Sequence, residues 1–81
     1  QQAINSVAVL GTGPSASYAG CILGEKVSCW LDEDKHKIGQ LFCGYPVKPL
    51  SAITKNEFIV LPYPAVQSRR IKERLSDYRF Y

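Results

Sequence analysis

A chain of 81 residues has room for one modest core, so it is read as a single domain spanning residues 1–81. Apolar residues make up 46% and charged residues 21%, which is ordinary for a globular fold. The net charge of +3 is too mild for the basic stripe of a nucleic-acid binder, so no nucleic-acid partner is expected. No apolar run approaches the roughly 18 residues of a membrane helix, and the N-terminus lacks the basic start and apolar stretch of a signal peptide.

The first predicted element is the Val-rich run Ser6-Val7-Ala8-Val9-Leu10, closed by Gly11. Such a run suits a parallel strand covered on both faces. Pro14 fits the first position of a following helix, where its missing N–H costs nothing, and small or apolar residues continue to Leu23. Gly24 is the natural stop. Residues 27–31 (Val-Ser-Cys-Trp-Leu) read as a second strand, with Trp30 in the core, and they run into the acids Asp32, Glu33 and Asp34. A loop punctuated by Gly39 and Gly44 follows. Tyr45-Pro46-Val47 is a short extended piece, and Pro49 to Ile53 can make one helical turn. Phe58-Ile59-Val60-Leu61 is the next strand, ended by Pro62-Tyr63-Pro64. Val66, Ile71 and Leu75 recur at helical spacing over 64–75, and the alternating Tyr78-Arg79-Phe80-Tyr81 closes the chain as an edge strand. Strands alternating with helices predict an α/β domain with a mostly parallel sheet and right-handed crossovers. The first strand is expected at the centre, between the second and the 58–61 strand.

The turn Gly11-Thr12-Gly13-Pro14-Ser15-Ala16 matches G-x-G-x-x-G/A. In that motif the first glycine allows the tight turn and the second lets the backbone approach a phosphate. The third position is small so that helix and strand pack closely. Gly13 is therefore where a Cβ would take the space of a phosphate, and a positive φ is expected there. Helix N–H groups, that of Ser15 first, favour an anion at this end, although Pro14 removes one donor. An acid about 20 residues on accepts from ribose hydroxyls. Asp32 lies 21 residues after Gly11, and Asp34 is the second choice. Tyr63 is expected near the crevice where strand order reverses, either stacked on a base or sugar or packed as a core residue. The competing reading of all these residues is a bare scaffold, in which the glycines only turn the chain and Asp32 only ends a strand.

The stretch Val7 to Ser15, Asp32-Glu33-Asp34 with Ile38-Gly39, Gly44-Tyr45-Pro46-Val47 with Pro49, and Ile59-Val60-Leu61-Pro62 occur in the order of a known pattern. The chain resembles the Rossmann-like C-terminal domain of S-adenosylmethionine-dependent C-methyltransferases. It is also similar to the N-terminal domain of sugar O-acyltransferases. The resemblance spans nearly the whole chain through short motifs. It implies a small Rossmann-like three-layer fold and an accessory role on the substrate side of a larger transferase. The methyl donor would then be bound by a separate catalytic domain. For the acyltransferases it implies recognition of a sugar nucleotide.

The remaining candidates carry less. Cys21, Cys29 and Cys43 lack Cys-x-x-Cys spacing, and with His36 alone they do not complete a four-ligand zinc site, so no metal is expected. Buried free thiols in a reducing, cytoplasmic compartment are the preferred reading. His36 is read as a solvated loop residue, and Arg69, Arg70, Lys72 and Arg74 as a solvated helix face rather than a phosphate clamp. Without a paired acid and base, a nucleophile elbow or a metal cluster, the domain alone is expected to be non-catalytic. The lack of Met at position 1 and the edge strand at the end suggest a piece of a larger protein, whose remainder is the expected partner. Three functions compete. The first is an accessory nucleotide- or sugar-nucleotide-binding domain of a transferase. The second is an NAD(P)-binding domain of an oxidoreductase, for which the chain offers barely more than one mononucleotide-binding half. The third is a ligand-free interaction module.

Overall fold

The computed structural model describes residues 6–53 and 57–81. In chain order the elements are β1 (Val7–Leu10), α1 (Pro14–Leu23), β2 (Val27–Leu31), β3 (Leu41–Phe42), β4 (Tyr45–Lys48), β5 (Phe58–Val60), α2 (Ala65–Arg74) and β6 (Arg79–Phe80), with single 3₁₀ turns at Gly24–Lys26 and Leu50–Ala52. The six strands form one sheet in the order β3-β4-β2-β1-β5-β6. Every pairing is parallel except β3 with β4. The predicted α/β arrangement is therefore observed, with β1 between β2 and β5. The last strand is shorter than the alternation of 78–81 implies, and the β3–β4 hairpin lies where the sequence pattern predicts only a loop and an extended piece.

All four residues of β1 are buried, which is why the run needs no polar face. Ala8, Leu10, Cys29, Leu31 and Ile59 make one core layer, against which Ile71 of α2 packs. Val9, Val27, Trp30 and Val47 make the other, with Ala16, Ala19 and Leu23 of α1. The two helices thus cover opposite faces, giving three layers. Between Val7 and Ala8 of β1 the partner strand advances from Val27 to Cys29, so Ser28 is an extra residue. Its hydroxyl donates to the Val7 carbonyl at 3.2 Å. This irregularity sends Val27 and Cys29 to opposite layers, although they are two apart and would share a face in a regular strand.

Pro14 opens α1 as expected, and Gly24 ends it with φ +58, its N–H donating to the Gly20 carbonyl. The helix sits close to the sheet because two small residues one turn apart face it. Ala16 is buried, and Gly20 lies directly over the Trp30 ring. Trp30 is anchored in place. It is 1% exposed, its indole N–H donates to the Phe42 carbonyl, and its ring meets the Phe42 ring edge-on at 4.8 Å between centroids.

Of the three thiols only Cys29 is buried, so the reading of buried cysteines holds for one and is corrected for Cys21 and Cys43, which are exposed. Burial pushes the Cys29 thiol above its ordinary range. No helix among the described residues is long and apolar enough to cross a membrane.

Gly20 generates a test whose sign is informative. In an open helix Gly→Ala stabilises by about 1 kcal/mol. At residue 20 the added methyl must displace the buried Trp30 ring, an overpacking cost of about 1–3 kcal/mol. Gly20→Ala is therefore expected to lower the urea midpoint. A raised midpoint would mean that helix and strand are not in close contact here.

Candidate functional site

The chain leaves β1 at Gly11 with φ +100, a conformation that side-chain-bearing residues rarely adopt. The Gly11 N–H donates to the Leu31 carbonyl at 2.6 Å, which joins the ends of β1 and β2. Above Gly11 lies Tyr63, whose hydroxyl donates to the Leu10 carbonyl at 3.2 Å and occupies the place a Cβ on residue 11 would need. Gly11 is thus fixed by two independent constraints, backbone sign and tyrosine contact. Gly13 is different. It caps α1 with φ −87, and a Cβ added there would meet no atom within 4 Å, so the expected positive φ belongs to Gly11 and not to Gly13.

Thr12 donates its hydroxyl to Asp32 Oδ2 at 2.9 Å, so the turn and the acid 20 residues later meet as the spacing predicts. The other carboxylate oxygen of Asp32 accepts the Asp34 N–H at 2.8 Å. Asp34 Oδ1 in turn accepts the His36 N–H at 2.9 Å, and His36 itself is exposed. The acidic triplet therefore builds two successive side-chain-capped turns.

A cleft of about 430 Å³ opens at the carboxyl ends of β1 and β2. Gly11, Thr12, Gly13, Asp32 and Tyr63 line it together. Ser15 does not. It lines a neighbouring groove of about 520 Å³, on the other side of Tyr63, with Tyr18, Ile22 and Leu61 to Pro64. Asp34 lines neither, since its carboxylate is turned into its own loop. Of the seven candidate residues, five share the cleft, one adjoins it and one stands outside.

The cleft also contains residues that the sequence does not single out. Glu33 and Arg74 bridge it with a paired contact, the two guanidinium nitrogens each 2.8 Å from a carboxylate oxygen. Arg74 is exposed, as are Arg69, Arg70 and Lys72, so the solvated helix face is observed, and Arg74 makes an ion pair on it. Lys37 and Gln67 complete the polar lining. The signals available are an acid next to Asp32 and an arginine in the last turn of a helix, and neither reveals that residues 41 apart meet.

The electrostatics follow from these contacts. The hydrogen bonds from Arg74, and then its charge, hold the Glu33 carboxyl below the usual carboxylate range. Burial, together with the negative charges of Asp32 and Glu33, pushes the Tyr63 hydroxyl above its usual range, so it is a donor at neutral pH. Among the described residues no cluster of three or more His, Cys, Asp or Glu is placed to hold a metal ion. The cleft can offer the backbone of the Gly11–Gly13 turn, a carboxylate beside it and a phenol above. Comparison with protein-family models, curated proteins and solved structures finds no match.

This geometry makes the two glycines separable by experiment. Gly11→Ala should destabilise the fold by about 1–3 kcal/mol, the cost of holding a side chain in a disfavoured backbone region, with the Tyr63 clash added. Gly13→Ala should leave the urea midpoint nearly unchanged, and equal midpoints for the two variants would contradict the assignment. A second prediction concerns pH. Because the folded Glu33 pKa is depressed, the pair's stabilisation is present above the unfolded value of about 4.5 and is lost as pH falls through the folded value. Arg74→Gln should move the Glu33 titration, followed by carboxyl-carbon NMR, upward toward an ordinary carboxylate. An unmoved titration would show that the two groups are not paired in solution.

Proposed function

We propose that this chain is a non-catalytic accessory domain that recognises a nucleotide or sugar nucleotide for a larger transferase, and that the transferase is an S-adenosylmethionine-dependent methyltransferase. One observation carries the recognition role. The glycine turn, as far as Gly13 at the N-cap of α1, and Asp32 line a single cleft at the carboxyl ends of parallel strands, beside the point where strand order reverses. Open α/β sheets bind their ligands at that place. The methyltransferase assignment rests on the sequence resemblance. In this reading the phosphate sits against Gly13 and the first turn of α1, where Ser15 and Ala16 have N–H groups without an intrahelical acceptor by position. Ribose hydroxyls take the Thr12 hydroxyl's place on Asp32, and Tyr63 forms the wall of the cleft. The methyl donor belongs to a separate catalytic domain, the rest of the polypeptide is the partner, and the protein works in the cytoplasm.

A second reading, the ligand-free interaction module, is favoured by one specific observation. Both oxygens of Asp32 and the hydroxyl of Tyr63 already have partners inside the chain. A ligand must therefore exchange hydrogen bonds rather than satisfy empty ones.

The test is a titration of the labelled chain with UDP-sugar, dTDP-sugar, NAD and S-adenosylmethionine, read from amide shifts. Shifts clustered at residues 11–16, 32–34 and 61–64 for a sugar nucleotide are expected. Gly13→Val should abolish them. Asp32→Asn should weaken binding by about 1–3 kcal/mol, the worth of a hydrogen bond to a charged group. Both variants keep the free fold, since residue 13 has open space and an asparagine at 32 still accepts from the Asp34 N–H. A flat response to all four compounds up to millimolar concentration supports the interaction module instead.

A further inference from the structure

The two exposed thiols, separated by 22 residues in sequence, line the same groove. Cys21 belongs to α1, and Cys43 stands at the tip of the β3–β4 hairpin. Between them is a groove of about 340 Å³ whose wall includes Gly20, Trp30 and Tyr45. Cys43 Sγ lies 3.8 Å from Ser17 Oγ. Ser17 and Cys21 are four apart on the helix, so they share a face, with Cβ atoms roughly 5–6 Å from each other. The thiol of Cys43 thus lies beside Ser17, one helical turn before Cys21.

Two features fix it there. Phe42, the residue before it, is anchored by the Trp30 indole, through both the N–H and the ring. The two turn residues, Cys43 and Gly44, have φ +49 and +84, the left-handed pair of a tight hairpin. Asn, Asp or Gly normally fills the first of these positions, and a cysteine there tolerates a strained backbone.

We propose that Cys21 and Cys43 form a reversible disulfide that clasps the β3–β4 hairpin onto α1. Hydrogen peroxide is a sufficient oxidant. One thiolate attacks a peroxide oxygen and the O–O bond breaks, giving a sulfenic acid and, after protonation of the leaving hydroxide, water. The second thiolate then attacks the sulfenic sulfur, forming the S–S bond and expelling hydroxide, which leaves as a second water. The two thiols together lose two electrons and two hydrogens, and a dithiol reductant reverses the step. Cys29 takes no part, since it is buried in the layer on the opposite face of the sheet.

The experiment oxidises the folded chain with hydrogen peroxide, blocks remaining thiols, and maps tryptic peptides by mass spectrometry. Cleavage after Lys26 and Lys37 puts each cysteine in its own peptide, so the pairing is unambiguous. The expected product is a monomer lighter by two hydrogens, with Cys21 and Cys43 peptides joined and Cys29 blocked only after unfolding. Dithiothreitol should restore both thiols, and Cys29→Ser should still form the bridge. Cys43→Ser should leave Cys21 to oxidise alone to sulfinic acid. A bridge through Cys29, disulfide-linked dimers without the internal bridge, separate oxidation of the two thiols, or resistance of both to oxidation would each overturn the proposal.

Discussion

At residue 11 the chain must leave a fully buried strand, reverse its backbone twist and pass beneath a tyrosine hydroxyl. Three hydrogen bonds converge within one residue of that point: Gly11 N–H to the end of β2, Tyr63 hydroxyl to the end of β1, and Thr12 hydroxyl to Asp32. They tie together the carboxyl ends of β1 and β2 and the segment after β5. The position of α1, the mouth of the cleft and the orientation of the acid loop are all set relative to this seam. A side chain at residue 11 would push Tyr63 off the Leu10 carbonyl and open the seam. Residue 13, two positions on, carries no such burden, so the two glycines of one motif serve different ends.

Much of this is legible in the sequence where the signal is local. Val7 to Leu10 and Val27 to Leu31 declare buried strands by composition, and Pro14 and Gly24 mark the limits of α1. The meeting of the glycine turn with Asp32 follows from the length of a strand–helix–strand unit. What is not legible depends on contacts between distant residues. Nothing in Gly20 announces that Trp30 will lie beneath it. Cys43-Gly44 lacks the Asn-Gly or Asp-Gly signature that would reveal the β3–β4 hairpin. Glu33 and Arg74 are both solvated, and nothing local in either says that the fold pairs them. The exposure of Cys21 and Cys43 escapes a reading by composition, because apolar character says only what a thiol tolerates.

The cleft illustrates a tension between holding a fold together and leaving groups free for a ligand. Thr12 and Asp32 satisfy each other, and Glu33 and Arg74 do the same across the opening. Such pairs keep the cleft ordered, and they set the terms on which anything enters. Both contacts involve a carboxylate, so a ligand entering here has to compete with charge-assisted hydrogen bonds.

The parallel sheet has a further consequence, for the order in which the chain can assemble. Val7 is paired with Val27 on one side and with Phe58 on the other, so the central strand is made early and completed late. Of the five strand pairings among the described residues, only the β3–β4 hairpin is local in sequence. Non-local pairings of this kind slow folding, because loop-closure entropy must be overcome before any contact rewards it. During synthesis the open edge of β1 waits for some fifty residues to emerge before β5 can cover it, an interval in which its unpaired backbone groups are open to pairing with other chains.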